Sequence, residues 1–279
     1  MKELNFVKAQ GIGNDFVIVN CLSGILDEDS LPGLGVRICD RHFGIGGDGL
    51  ILVLPSAVAD YRMRVINSDG SEAEMCGNGV RCFARYLLNR GLVGRSLSVE
   101  TLAGIKHIDV VDVNGDVWFS VNMGTPALDA AQIPIAGYEG RVISQPLDVE
   151  GTRFDITCVS MGNPHCVIFV PSVAEIPLEQ LGPKIETHPA FPRKTNVEFA
   201  EVLSPSEVRM RVWERGAGVT LACGTGAAST VVAGVLNGKL NRKATVHLPG
   251  GDLQIDWRDN DEIFMTGPAE EVFSGTIKI

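Results

Sequence analysis

Two short phrases occur twice in this chain, in the same order and at the same distance. Arg62-Met63-Arg64-Val65 returns as Arg209-Met210-Arg211-Val212, and Cys76-Gly77-Asn78-Gly79 returns as Cys223-Gly224-Thr225-Gly226, both at an offset of 147. Over the 18 paired positions from 62 to 79, seven are identical. A further echo sets Gly13-Asn14 against Gly162-Asn163 at an offset of 149. Self-similarity at a fixed spacing is the mark of a repeated structural unit, and a repeat of about 140 residues is the size of an ordinary domain. The 279 residues therefore read as a duplicated α/β unit, two halves each with a strand, a cysteine turn and a central helix.

Local patterns fill in that frame. Short apolar or alternating segments bounded by turn residues predict strands at Leu4–Lys8, Phe16–Asn20, Leu50–Leu54, Tyr61–Ile66, Ile105–Val113 and Val117–Val121. Val80, Phe83, Ala84, Leu87 and Leu88 share one helix face, closed by Gly91. Ala227, Ala228, Val231, Val232, Val235 and Leu236 predict a second helix ending near Gly238, nearly free of charge and so largely buried. A weaker helical pattern runs from Leu31 to His42.

Composition narrows the class of partner. Lys and Arg number 24 against 34 Asp and Glu, a net charge of −10 with no basic block, which disfavours a nucleic-acid partner and favours a small molecule. There is no apolar run long enough to span a membrane and no signal-like stretch after Met1, so a cytoplasmic protein is expected. Seven cysteines, an odd number in a chain too long to need staples, read as free thiols in a reducing compartment.

Cys76 and Cys223 each stand where a strand ends and a buried helix begins, followed by glycines. The opening amides of a helix and its dipole favour negative charge, so a thiolate is stabilised there, and the same amides can hold a substrate carboxylate. For one isolated cysteine, a small buried helix cap is the competing reading. Two in equivalent positions point further. If the halves face each other, one sulfur lies on each side of the ligand, an arrangement suited to removing a proton from one face of a carbon and delivering one to the other. That chemistry is racemisation or epimerisation, with the helix starts stabilising carbanionic charge.

The runs Gly11-Ile12-Gly13-Asn14-Asp15-Phe16, Asn67-Ser68-Asp69-Gly70-Ser71-Glu72, Met75-Cys76-Gly77-Asn78-Gly79-Val80-Arg81-Cys82, Met161-Gly162-Asn163-Pro164-His165, Thr195-Asn196-Val197-Glu198-Phe199 and Trp213-Glu214-Arg215-Gly216, leading to Leu221-Ala222-Cys223-Gly224-Thr225-Gly226, resemble the diaminopimelate epimerase family over nearly the whole chain. The resemblance implies cofactor-independent interconversion of LL- and meso-2,6-diaminopimelate on the route to lysine. It implies Cys76 and Cys223 as the catalytic acid/base pair, with His165 and Glu214 tuning the thiols. It further implies substrate contacts from Asn14, Asn67, Asn163, Asn196, Glu214 and Arg215, and a carboxylate cradle from Gly77, Asn78, Gly224 and Thr225. The fold class it implies is α/β (α+β), two pseudo-symmetric domains, each a mixed, mostly antiparallel curved sheet around a central helix. Domain boundaries are expected at 1–124, completed by a returning strand in 268–279, and at 125–267. No metal and no cofactor are expected, and a homodimer is left open. One departure stands out: some members carry Gln where this chain has Gly49.

Read on their own, those residues say less. Asn is commonly a turn or capping residue, Glu214-Arg215 would serve as a surface ion pair, and His165 as a hydrogen-bonded strand histidine. Taken together, four Asn beside Gly or strand ends, with Glu214 for an ammonium and Arg215 for a carboxylate, suit a ligand with two ammonium and two carboxylate groups. A proline or hydroxyproline racemase is the nearest alternative, disfavoured by this set for a second charged end. A non-catalytic amino-acid-binding or thiol-redox protein is the alternative from another class, and the absence of Cys-x-x-Cys disfavours redox work. Gly44-Ile45-Gly46-Gly47-Asp48-Gly49 fits G-x-G-x-x-G but leads into the strand-like Leu50–Leu54 rather than a helix, so it does not mark a dinucleotide site. Cys39 and His42 lack a second pair to complete a metal site, and Cys82 falls on the core side of its helix.

Overall fold

The computed structural model describes residues 3–24 and 26–279, and they separate into two compact units. The first runs to Asn122 and regains Gly267–Ile279; the second is Met123–Thr266.

In the first unit the chain forms β1 (Glu3–Gly11), β2 (Asn14–Asn20), α1 (Leu31–Cys39), β3 (Gly49–Leu54), β4 (Tyr61–Asn67), a short β5 (Glu72–Ala73), α2 (Gly77–Asn89), β6 (Ser96–Thr101), β7 (Gly104–Val113) and β8 (Asp116–Gly124). The second unit holds β9 (Gln145–Val149), β10 (Thr152–Ser160), β11 (Pro164–Phe169), α3 (Leu178–Glu186), β12 (Asn196–Ser204), β13 (Glu207–Glu214), β14 (Gly218–Val219), α4 (Gly224–Leu236), β15 (Lys243–Leu248), β16 (Gly251–Trp257) and β17 (Ile263–Gly267). The last strand, β18 (Glu270–Lys278), pairs antiparallel with β1.

Pairing repeats element for element. The first sheet is ordered β18-β1-β2-β3-β4-β6-β7-β8, with β2/β3 and β4/β6 parallel and the other neighbours antiparallel. The second is ordered β9-β10-β11-β12-β13-β15-β16-β17, with β11/β12 and β13/β15 parallel and the rest antiparallel. The phrase Arg-Met-Arg-Val opens β4 after Tyr61 and lies within β13, and each Cys-Gly-x-Gly starts a helix of 13 residues.

The central strand β3 of the first sheet is covered on both faces, and all six of its residues are buried. On one face of the first sheet, Leu31, Leu34 and Ile38 of α1 pack on Val17, Val19, Leu50 and Leu52. The other face wraps a central helix. In the second unit α4 touches β10, β11, β12, β13, β15 and β16. Six adjacent strands at ~4.8 Å span roughly 24 Å, about twice the ~10–12 Å diameter of a helix. One helix can reach all six only because the sheet curves around it.

The weak helical pattern after Leu31 is the helix α1, but the periodicity reading has no counterpart for α3, its equivalent in the second unit. That segment contains Gly182 and Pro183, two residues that argue against a helix. Packing explains the glycine: a Cβ there would stand 2.5 Å from Cγ of Trp213, whose indole lies against the helix and donates from Nε1 to Glu186 at 2.7 Å. Tertiary contact overrides propensity here.

Candidate active site

In the first unit Cys76 takes extended dihedrals (φ −133°, ψ 115°) and caps α2, its sulfur accepting from the Gly79 amide at 3.4 Å. Asn14 opens β2 and turns its amide oxygen toward the helix start, where it accepts from Asn78 Nδ2 at 3.1 Å and lies 3.8 Å from Cys76 Sγ. Its amide nitrogen is held by Asp48, which also accepts from the Asp15 backbone at 3.0 Å and from Arg41 at 2.8 Å. Asp15 closes the network on Lys8 at 2.6 Å and Arg41 at 2.7 Å. Burial alone would raise the Asp15 carboxyl, but these two cations outweigh it and hold it down at about 2. Strand register sets Phe16 opposite Gly49 and Gly49 opposite Asn67, which places Asn67 at the same end of the sheet.

Beneath the cysteine lies Arg81, fully buried, donating to the carbonyls of Gly77 at 3.2 Å and Pro268 at 3.2 Å and to Asn78 Oδ1 at 3.0 Å. Burial pulls it down to about 10, opposed by attraction to the thiols of Cys82 and Cys76. At physiological pH it remains a cation set against the sulfur that caps the helix.

The second unit repeats the cap with different surroundings. Cys223 (φ −130°, ψ 108°) starts α4 and accepts from the Gly226 amide at 3.3 Å. Its sulfur is 3.6 Å from Thr225 Oγ1, which takes a hydrogen bond from Asn163 Nδ2 at 3.4 Å. Asn163 Oδ1 is 3.0 Å from His165 Nε2, and His165 Nδ1 is 2.7 Å from Glu198 Oε1, both of these side chains wholly buried. Glu214, at the end of β13, receives a hydrogen bond from Thr220 and lies near the Cys223 thiol. Burial raises the Glu214 carboxyl in spite of the bond from Thr220. Burial first, then the carboxylates of Glu214 and Glu198, push the Cys223 thiol well above its ordinary range.

Asn196 is buried in the parallel partner of β11, opposite His165, with its amide nitrogen on the Pro164 carbonyl at 2.8 Å and its oxygen accepting from the Arg215 backbone at 2.9 Å. Arg215 itself is exposed, its guanidinium on the Arg193 carbonyl at 3.2 Å. Glu214 and Arg215 thus engage separate partners rather than each other. Gly49, at the position equivalent to Asn196, presents no side chain; a Cβ there would lie 3.2 Å from the Ile66 carbonyl.

The structure therefore gathers Cys76, Asn14, Gly77 and Asn78 at one helix start and Cys223, Gly224, Thr225, Asn163, His165 and Glu214 around the other, with Asn67, Asn196 and Arg215 at the corresponding sheet ends. Sequence reading passed over three groups now placed beside them: Asp48, Arg81 and Glu198. Aligning the two halves exposes the last two, because Arg81 matches Ala228 and Glu198 matches Ile51 at the offset of 147. A charged residue where the other half carries an apolar one is a signal that neither half gives alone. Among the described residues there is no group of three or more His, Cys, Asp or Glu side chains arranged to hold a metal ion.

By fold this is one of the duplicated α/β proteins typified by a Bacillus anthracis phenazine biosynthesis protein of the PhzF family, with TM-score 0.75 at 19% identity over 100% of both chains. A hydroxyproline epimerase from Agrobacterium vitis shares it too, with TM-score 0.70 at 14% identity over 99% of this chain and 92% of that one. Sequence narrows the class. The diaminopimelate epimerase family model matches residues 6–128 and 157–272. The diaminopimelate epimerases of Pelotomaculum thermopropionicum and Moorella thermoacetica are 56% and 57% identical to this chain, each over 98% of both sequences. The chain belongs to the diaminopimelate epimerase family, and its class is that of the isomerases.

Proposed function

We propose that this protein interconverts LL- and meso-2,6-diaminopimelate by proton transfer between two thiols, with no cofactor and no metal. The observation that carries the reading is the repeated helix cap: in topologically equivalent places, a cysteine sulfur accepts from the amide three residues on, with Asn14 at the start of β2 near one cap and Asn163 just before β11 near the other. One thiolate takes the alpha proton and becomes a thiol; the electron pair is delocalised into the substrate carboxylate; the other thiol gives its proton to the opposite face and becomes the thiolate. The carboxylate lies in the positive field of a helix start, at Gly77 and Asn78 or at Gly224 and Thr225, which stabilises the charge that develops on it. Asn14, Asn67, Asn163 and Asn196 supply neutral donors and acceptors, Arg215 a cation for the distal carboxylate, and Glu214 an acceptor for an ammonium. His165 and Glu214 adjust the readiness of Cys223 to give and take a proton. The two units are the two epimerase domains, divided near 124 and completed by 268–279.

The reading places the protein in the cytoplasm, in lysine biosynthesis, with a small-molecule substrate and neither nucleic acid nor membrane as partner; among the described residues no helix is long and apolar enough to cross a bilayer. A homodimer is compatible with it, and sedimentation equilibrium would decide. The activity is tested by incubating meso-diaminopimelate with the protein in heavy water and following both configuration and deuterium at the alpha carbon. Wild-type protein should give LL product carrying deuterium, whereas Cys76→Ala and Cys223→Ala should each abolish inversion because one proton carrier is missing. Near wild-type inversion by either variant would remove that cysteine from the mechanism.

A further inference from the structure

The core of the second unit contains a charged group that the proton transfer above leaves unassigned. Glu198 lies in the middle of the apolar run of β12, fully buried, with Oε1 on His165 and no hydrogen-bond partner for Oε2 among the described residues. Burying a carboxylate is costly, and leaving one of its oxygens unsatisfied adds to the cost.

The duplication provides the comparison. Phe16 pairs with Gly49 across β2 and β3, and His165 pairs with Asn196 across β11 and β12. Two residues beyond each partner come Ile51 and Glu198. In the first unit a Cβ on Gly79 would meet Ile51 Cδ1 at 3.3 Å; in the second, a Cβ on Gly226 would meet Glu198 Oε1 at 2.8 Å. The same architecture thus holds Phe16 and Ile51 in one half and His165 and Glu198 in the other. Folding does not demand the polar pair, since the apolar one fills the equivalent place.

The polar pair has a path to the thiol. Asn163 points its nitrogen at Thr225, so its oxygen faces His165 Nε2 and that ring nitrogen must donate. The other ring nitrogen faces a carboxylate. Oxygens on both sides leave a single ring orientation, and Asn163 is locked in turn. We propose that Glu198 is a positioning residue for the Cys223 half of the reaction: its carboxylate, engaged by Nδ1 of His165, holds the ring with Nε2 toward Asn163, which fixes the Asn163 amide and, through Thr225, the setting of the Cys223 sulfur. The inference rests on the two-thiol reading for its catalytic meaning, but its geometry does not depend on that reading.

Three titratable groups face Cys223 from three strands: Glu214 on β13, Glu198 on β12 and His165 on β11. A single point beside Gly226 is 2.8 Å from Glu198 Oε1 and 3.2 Å from Cys223 Sγ, and hydrogen bonds link the imidazole to the sulfur through Asn163 and Thr225. The Glu198 carboxylate lies close to the sulfur and, together with that of Glu214, opposes a thiolate. Glu198→Gln removes it while keeping the shape.

The experiment measures iodoacetamide labelling of Cys223 relative to Cys76 by peptide mapping across pH, together with kcat/KM. In E198Q the Cys223 labelling profile should move to lower pH while that of Cys76 stays in place. Its kcat/KM should fall about 10–100-fold, the range seen when the partner that orients a metal-bound histidine is removed. An unchanged Cys223 profile overturns the proposal, as does wild-type kcat/KM. Should the wild-type protein fail to epimerise diaminopimelate, the functional reading falls, while the labelling profile still decides the role of Glu198. If E198Q does not fold, the double variant H165F/E198I, which copies the first unit, replaces it. A folded double variant whose Cys223 labelling profile lies at lower pH than that of H165F supports the proposal; one whose profile matches that of H165F, or one that also fails to fold, overturns it.

Discussion

Gly79 and Gly226 occupy the same place in the two halves, the third residue of a helix capped by a cysteine, and alanine at each should have unequal consequences. Neither has a positive φ, so backbone conformation is no obstacle, and Ala within a helix would gain about 0.5–1 kcal/mol over Gly. Space decides the outcome. At Gly79 the new methyl would stand 3.3 Å from Cys76 Cβ and 3.3 Å from Ile51 Cδ1, a flexible methyl that can give way by a few tenths of an ångström. At Gly226 it would stand 2.8 Å from Glu198 Oε1 and 3.2 Å from Cys223 Sγ. Glu198 cannot retreat without breaking its bond to His165 in a fully buried site. Overpacking of this kind costs about 1–3 kcal/mol, so Gly226→Ala should be destabilised by a net ~1–2 kcal/mol while Gly79→Ala stays within ~1 kcal/mol of wild type. At roughly 2–4 °C per kcal/mol for a chain of this order of size, thermal denaturation should separate the two by several degrees. Displacement of Cys223 should also cost G226A activity, since a shift of about 1 Å in a reacting group is worth on the order of 100-fold. Equal midpoints and equal activities in the two variants would refute the packing described at the second helix start.

Other consequences follow from the charges. Burial pushes Cys39 up to about 11 and Cys82 up to about 12, against ~8.5 for a free thiol. The native chain therefore keeps protons that the unfolded chain has released; this stability is complete below about pH 8.5 and is lost as pH rises through 11 to 12, at up to ~1.4 kcal/mol per pH unit for each thiol. Urea midpoints measured from pH 8 upward should fall, and a flat profile would show that these thiols are not buried. At the acid end, Asp15, lowered to about 2, contributes stability above its usual value near 3.9 that disappears as pH drops through 2. Asp15→Asn should flatten that part of the acid unfolding curve. Asp48→Ala frees the nitrogen of Asn14, and initial-rate kinetics should show KM rising about 10-fold, the loss of roughly one charge-assisted hydrogen bond; an unchanged KM would mean that Asn78 alone holds Asn14.

What could be read in the sequence had a local signature. The phrase Arg-Met-Arg-Val and the Cys-Gly-x-Gly turns gave the duplication and both helix caps, because a capped helix after a strand is written in adjacent residues. The return of β18 to β1 has no local signature, since it joins residues 260 or more positions apart, and it entered only through resemblance to a family. Gly182 and Pro183 hid α3 because an indole from β13 requires the glycine. Asp48 was taken only as part of a glycine-rich turn, yet its position becomes intelligible once Asn14 is placed against it. Glu198 resisted for a different reason. A single charge in a strand reads as solvated, and only the structure shows both faces of β12 covered at that point.

The substitutions between the halves define a polarity. Where the first unit has Arg81 beneath its cysteine, the second has Ala228; where the first has Asn67, Phe16 and Ile51, the second has Glu214, His165 and Glu198. A buried cation therefore accompanies Cys76, while two carboxylates and a raised proton affinity accompany Cys223. Opposite charge favours a thiolate and like charge disfavours it, so Cys76 is expected to ionise ahead of Cys223. The difference in burial between the two sulfurs does not confuse the test. Accessibility scales the rate of alkylation at every pH, whereas the midpoint of its pH profile reports the ionisation itself. Cys76 should therefore show the lower midpoint, Arg81→Met should move that midpoint upward, and the Cys223 profile should be unaffected by the substitution. The reverse order of midpoints would mean that the duplicated fold assigns acid and base by some interaction other than these buried charges.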